Sequence, residues 1–359
     1  MHPQPTPWSD LENILQSEGP QTWLDRMAQL GTNAFNQHKI ALLRFATGDQ
    51  FKQLIDLAEQ SGIDEHHFIQ LRSTLERFNP NTLHTPGQYQ RLDYHNSEHI
   101  LHHYRWLPSA NEPLPPSRSQ STVIGFTGDA SILMAPVACI LAILGQSRQD
   151  LLLVKRLIRK PYCEDDASLL SSVEQQICSL ITQQELAHGQ ARHLISLGTS
   201  TGGLAALTLA HRLALPLGVG VGALMPIPLG RHRAQWFAQL QIQAQQTGHG
   251  TNPERHTNVG RAHAKTKLRL AAGAASAGDR THALRIRAFY TQHHPNTTSI
   301  EVKLMPGCSS HGLFEELAQQ GRSLDTVLPE LLRFESEPPV DATSQAVARL
   351  NASSRDRQA

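Results

Sequence analysis

Apolar residues recur at helical spacing through the first ninety positions. Phe51, Leu54, Ile55 and Ala58 share one side of a helical turn, as do Phe68, Leu71, Leu75 and Phe78. Between them Ser61-Gly62-Ile63-Asp64 stops one helix and offers Asp64 as the cap of the next, so a helical hairpin is predicted. Residues 1–90 are read as a helical N-terminal region. Asn79-Pro80-Asn81 ends that pattern, and the proline-rich stretch 107–117 resembles a linker.

The texture then changes to short apolar runs alternating with helices. Ile100 to Trp106 alternates in side-chain type, as an early edge strand would. Strands are predicted at Thr122–Phe126, Leu151–Val154, His193–Leu197, Leu217–Val221, Leu284–Tyr290 and Ile300–Leu304. Helices are predicted up to about Leu144, from Asp165 or Asp166 through Leu180-Ile181, over Leu204–Leu213, and over Leu313–Leu332. No hairpin turns separate the runs after Thr122. Such alternation indicates a mostly parallel sheet flanked by helices, an α/β domain over 91–335. A polar tail, 336–359, is expected to stay disordered.

Composition narrows the function. The 359 residues carry a net charge of only +1, against the basic excess of a dedicated nucleic-acid binder. That balance hides a contrast. Residues 231–290 hold ten Lys and Arg against Glu254 and Asp279, a local +8, leaving −7 for the remainder. The span 229–283 therefore reads as a basic, lid-like insertion, one use of which is to attract an anionic group on a substrate. The most apolar stretch, Ile132–Leu144, is shorter than the roughly 20 residues of a membrane span. The N-terminus lacks a charged and then apolar leader pattern, and the four cysteines form no C-x-x-C pair. A cytoplasmic protein without a cofactor is the expectation, its oligomeric state unreadable.

Chemistry concentrates at Gly198-Thr199-Ser200-Thr201-Gly202, a G-x-S-x-G string between a predicted strand and a predicted helix. That setting suits a nucleophile elbow, where a strained serine projects its hydroxyl above the sheet. Gly198 and Gly202 leave room for the tight turn. A phosphate-binding turn, or a serine that merely caps the helix, is the competing reading. Two further stretches stand in matching order: Phe126-Thr127-Gly128-Asp129 after an early strand, and Gly307-Cys308-Ser309-Ser310-His311-Gly312 after the last one.

On these three stretches the chain resembles the α/β-hydrolase superfamily of serine esterases, lipases and acyl-transfer enzymes, over roughly residues 95–333. The resemblance implies Ser200 as nucleophile, His311 as base, and an oxyanion hole from the backbone of Thr201 with Gly128 or Asp129. It also implies an ester or thioester substrate of small size. The acid of the triad is the departure. The family supplies it after the strand read at Leu284–Tyr290, yet residues 291–299 contain no carboxylate. Asn296, Glu301 and Asp279 are the candidates, with Asp129 a further one. A Ser–His dyad, an acid from an unexpected place, or a non-catalytic binding or scaffold protein all remain open.

One rival constellation carries different chemistry. His95-Asn96-Ser97-Glu98-His99 matches H-x-x-E-H, which on a helix turns two histidines toward one metal ion. A metallohydrolase built on His95, Glu98 and His99 is therefore the third reading. The competing one is a strand in a chain rich in histidine.

Overall fold

Eight strands form one sheet in the computed structural model, in the order β1-β2-β4-β3-β5-β6-β7-β8. The structure describes residues 17–28, 53–54, 56–57, 60, 88–95, 99–107, 121–128, 132–156, 177, 179, 193–213, 215–225 and 266–333. The strands are β1 (Gln88–His95), β2 (His99–Leu107), β3 (Ser121–Phe126), β4 (Asp150–Arg156), β5 (His193–Thr199), β6 (Leu217–Val221), β7 (Thr266–Gly273) and β8 (Thr298–Met305). β2 pairs antiparallel with both β1 and β4, and every other pairing is parallel. The helices are α1 (Gly19–Ala28), α2 (Val137–Gln146), α3 (Thr201–Arg212), α4 (Ala277–His293), α5 (Leu313–Gln319) and α6 (Leu324–Leu332). The mostly parallel α/β architecture matches the expectation from sequence.

Strand alternation divides the core into two layers. Val123, Leu151, Leu153, Leu197, Val219 and Val221 face α2, α5 and α6. Ile124, Phe126, Leu152, Val154, Leu268 and Leu270 face α3 and α4. Period-two burial with both faces covered is why these strands read as continuous apolar runs. α2 is buried from Val137 through Gly145. Its all-round apolarity is that of a core helix. Among the described residues no helix is long and apolar enough to cross a membrane.

Several expectations are corrected. Residues 266–283 are not part of a lid: β7 and the start of α4 occupy them, and 229–265 lie outside the described residues. The segment looked like a basic insertion because β7 carries Lys267 and Arg269. Those charges are matched from the neighbouring strand, where Glu301 pairs with Lys267 at 3.5 Å and with Arg269. Leu284–Tyr290 is helix, not strand. Ala283, Ile286 and Tyr290 are its buried positions, at spacings of three and four, while Leu284 is 46% exposed. The final helix is two, α5 and α6, and the sheet begins at Gln88, inside the region read as helical. The predicted hairpin at 51–78, the linker and the tail lie largely outside the described residues, which include helical positions at 53–54, 56–57 and 60.

The metal reading fails at the level of backbone. His95 ends β1 and His99 begins β2, two strands of one antiparallel hairpin in which His95 stands opposite Ile100. Both histidines stand at strand ends and not in a described helix, and residues 96–98, Glu98 among them, lie outside the described residues. Among those residues no cluster of three or more metal-ligating side chains occurs.

Candidate active site

At the carboxyl end of β5 the chain turns sharply into α3, and Ser200 occupies the corner with φ 54° and ψ −125°. A side chain rarely adopts that conformation, which costs on the order of 1–3 kcal/mol and persists only where its surroundings impose it. Three backbone hydrogen bonds do so. Ser200 N–H donates to the Val221 carbonyl at 2.9 Å, and the Ser200 carbonyl accepts from Gly203 at 3.0 Å and Leu224 at 3.1 Å.

The turn requires its glycines by close approach. A Cβ on Gly198 would stand 2.1 Å from the Gly202 carbonyl oxygen, and one on Gly202 would stand 2.4 Å from that of Phe126. Gly128 abuts the serine itself, since its missing Cβ would lie 2.9 Å from Ser200 Cβ. The Gly128 N–H, however, donates to the Ile132 carbonyl at 3.2 Å. Its expected availability to an oxyanion is thereby corrected, because the amide is engaged within its own loop. Asp129 lies outside the described residues, while Thr201 provides the first amide of α3.

His311 stands over the corner from the loop between β8 and α5. Its Nε2 lies 2.8 Å from Ser200 Oγ, and its Nδ1 lies 2.9 Å from Asp279 Oδ1. A carboxylate only accepts, so the proton belongs on Nδ1, which leaves Nε2 to accept from the serine hydroxyl. Exposure grades along the line. The Asp279 side chain is 6% exposed and that of His311 43%. The carboxylate is shielded while the imidazole can meet a ligand.

Asp279 arrives by local logic. Ser276 caps α4 and accepts the Asp279 N–H at 3.4 Å, which puts the aspartate in the first turn. Helix polarity favours a negative charge there. Its other oxygen, Oδ2, is buried with no hydrogen-bond partner among the described residues. Of the candidates among the described residues, Asp279 alone reaches His311. Glu301 points into the ion pair with Arg269, and Asn296 lies in the exposed turn preceding β8, remote along the strand from His311.

Two polar residues near the site were not singled out from the sequence. His282, one turn beyond Asp279 on α4, accepts the Met225 N–H on Nδ1 at 3.1 Å. Burial, then the nearby Arg285, holds His282 below the usual histidine range, so the accepting neutral ring is favoured. Glu316 on α5 accepts hydrogen bonds from the backbone of Ser309 and Ser310, beside His311. A signal for Asp279 was present, namely the Ser276-x-x-Asp279 cap, which marks a helix start inside the span read as a lid, whereas the carboxylate was sought after Tyr290.

No family model matches the chain, and no curated protein matches it significantly. Solved structures do resemble it. The esterase Est22 is 11% identical with a TM-score of 0.42, over 81% of this chain and 92% of that one. The siderophore hydrolase EstB from Aspergillus nidulans is 11% identical with a TM-score of 0.43, over 70% and 96%. A thermophilic esterase from the Planctomycetes species Thermogutta terrifontis is 16% identical with a TM-score of 0.41, over 71% and 96%. At these values the likenesses say nothing of what this chain acts on.

Proposed function

From the α/β-hydrolase fold of this chain and the hydrogen-bonded line Ser200–His311–Asp279 within it, we propose a serine hydrolase or acyltransferase acting on an ester or thioester of small size. The observation that carries the reading is that line: a strained serine, an imidazole 2.8 Å from its hydroxyl, and a buried carboxylate 2.9 Å from the other ring nitrogen. Among the roles open to a serine at a strand–helix corner, helix capping needs neither the histidine nor the acid.

In this mechanism Ser200 Oγ attacks the carbonyl carbon as its proton passes to His311 Nε2. Asp279 holds the ring in the reactive tautomer and stabilises the imidazolium that forms. The carbonyl π electrons move to oxygen, and the Thr201 N–H at the start of α3 donates to the resulting oxyanion. Asp129 is the proposed second donor. Collapse expels the alkoxide or thiolate, which takes the proton from His311 and leaves an acyl-Ser200. Water, or an acceptor alcohol in a transferase, then enters by the reverse sequence and regenerates the serine.

Labelling by a fluorophosphonate tests the proposal. The wild type is expected to react covalently at Ser200, and Ser200→Ala to give no adduct and no turnover of p-nitrophenyl acetate or its thioester counterpart. An unlabelled, inactive wild type would sink the reading.

A further inference from the structure

His311 sits on an exposed connection, and a reacting group displaced by about 1 Å can lose 10²-fold in rate. What holds that connection therefore matters. Its first half is stitched to the strand end that leads to Asp279. The Cys308 carbonyl accepts the Ala275 N–H at 2.9 Å, and the Met305 carbonyl accepts the Ala274 N–H at 2.9 Å. Its second half, Ser309 and Ser310, is exposed and belongs to no helix or strand.

One side chain gathers that second half. Glu316 Oε1 and Oε2 each lie 2.8 Å from Ser309 N, Oε2 lies 2.7 Å from Ser310 N, and Oε1 accepts the Ser309 hydroxyl at 2.9 Å. Three donors thus converge on a group that only accepts. The same residue anchors α5 from behind, since Glu316 N–H donates to the Gly312 carbonyl at 3.0 Å. His311 lies between these two attachments, directly after Ser310 and directly before Gly312.

We propose that Glu316 is a positioning residue for the reaction: its carboxylate clamps the Ser309–Ser310 backbone and so fixes His311 between Ser200 and Asp279. The inference rests on the function proposed above. The charge needed for the clamp is secure, because the Ser310 and Ser309 amides lower the Glu316 carboxyl to about pKa 2. The backbone bond from Glu316 to Gly312 does not depend on the side chain, so removing the carboxylate frees the loop while leaving the helix its own bonds. The loss belongs in the chemical step and not in substrate binding.

The test compares wild type, Glu316→Ala and Glu316→Gln. Steady-state hydrolysis of p-nitrophenyl butyrate is expected to show kcat reduced about 10- to 100-fold in Glu316→Ala, with KM within about twofold of wild type. Glu316→Gln keeps one accepting oxygen and is expected to fall between the two. Low-field proton NMR, with His311→Gln to assign the signal, reads the His311 Nδ1–H bonded to Asp279 without any turnover. That resonance is expected in wild type and broadened or lost in Glu316→Ala. An unchanged kcat, or a resonance as sharp in Glu316→Ala as in wild type, overturns the proposal, and so does a wild type lacking the resonance. Were the wild type inactive but its resonance sensitive to Glu316, the clamp would stand and the serine-hydrolase reading would fall. If Glu316→Ala does not fold, Glu316→Gln carries the same comparison.

Discussion

Asp279 is the residue on which the proposed chemistry turns most sharply, because its contact with the imidazole is a single hydrogen bond made by a buried carboxylate. Asp279→Asn preserves shape and removes charge. An amide can offer its N–H2 to Nδ1, which favours the wrong tautomer and puts the proton on Nε2, where it blocks acceptance from Ser200. The expected loss in kcat is on the order of 10³–10⁴-fold, with the Ser200 corner intact. Measuring kcat beside a near-ultraviolet circular dichroism spectrum separates lost chemistry from lost fold. A variant within tenfold of wild type would remove Asp279 from the mechanism. Gly202→Ala is expected to act by the opposite route, since the new methyl meets the Phe126 and Thr127 carbonyl oxygens at 2.4 and 2.6 Å. Those atoms are backbone of β3 and the loop after it and cannot swing aside. Loss of soluble, folded protein is the expected outcome, read by expression and thermal melting.

At the scale of elements, β7 is held in place by a buried cation. Arg269 pairs with Glu301 on β8, and its Nη1 donates to the Leu331, Glu330 and Arg333 carbonyls at 2.5, 3.1 and 3.1 Å. It thereby closes the carboxyl end of α6 against the sheet. Arg269→Ala leaves those carbonyls without this donor, and a destabilisation of about 3 kcal/mol is expected from urea unfolding. Glu301→Gln should cost clearly less, because Glu301 is 35% exposed and water can replace its partner. Equal costs would contradict this account. The same arginine explains what could and could not be read from sequence. The corner at Ser200 was legible because every requirement is local: an apolar run, two glycines and an apolar helix in succession. β7 was not, because Lys267 and Arg269 are acceptable in a strand only once Glu301 and the end of α6 are beside them. α4 was misread because Leu284, Ile286, Ala288 and Tyr290 also satisfy a period of two, and only burial of Ala283, Ile286 and Tyr290 selects the helix. Both errors hid the position of Asp279. Once β7 and α4 take their places, Asp279 falls in the first turn of the helix that follows a strand, in the connection where the resemblance implies a carboxylate.

Across the whole molecule, histidines far from Ser200 set how the fold responds to acid. His211 at the end of α3 packs against His294 at a tilt, with ring centres 4.1 Å apart, and meets Tyr290 edge-on. Burial, reinforced by His294, lowers the His211 pKa to about 4 from an ordinary 6.5. His294 is shifted the same way by burial and by His293. His102, in the β1–β2 pairing, is likewise brought to about 4, by burial against the opposing pull of Asp93. For each, the folded chain refuses a proton that the unfolded chain accepts. Stability is therefore whole above about pH 6.5 and declines as pH falls toward 4. From pH 7 to pH 5 His211 accounts for about 1–2 kcal/mol after allowance for solvent screening. His211→Phe tests this directly. The ring can keep its place against Tyr290 and His294, and the variant removes a buried Nδ1 that has no partner among the described residues. Urea unfolding at pH 7 is expected to show little change or a small gain, while the further loss on going to pH 5 shrinks by about 1 kcal/mol or more. If wild type and His211→Phe lose the same stability between those two pH values, the acid sensitivity does not come from this cluster.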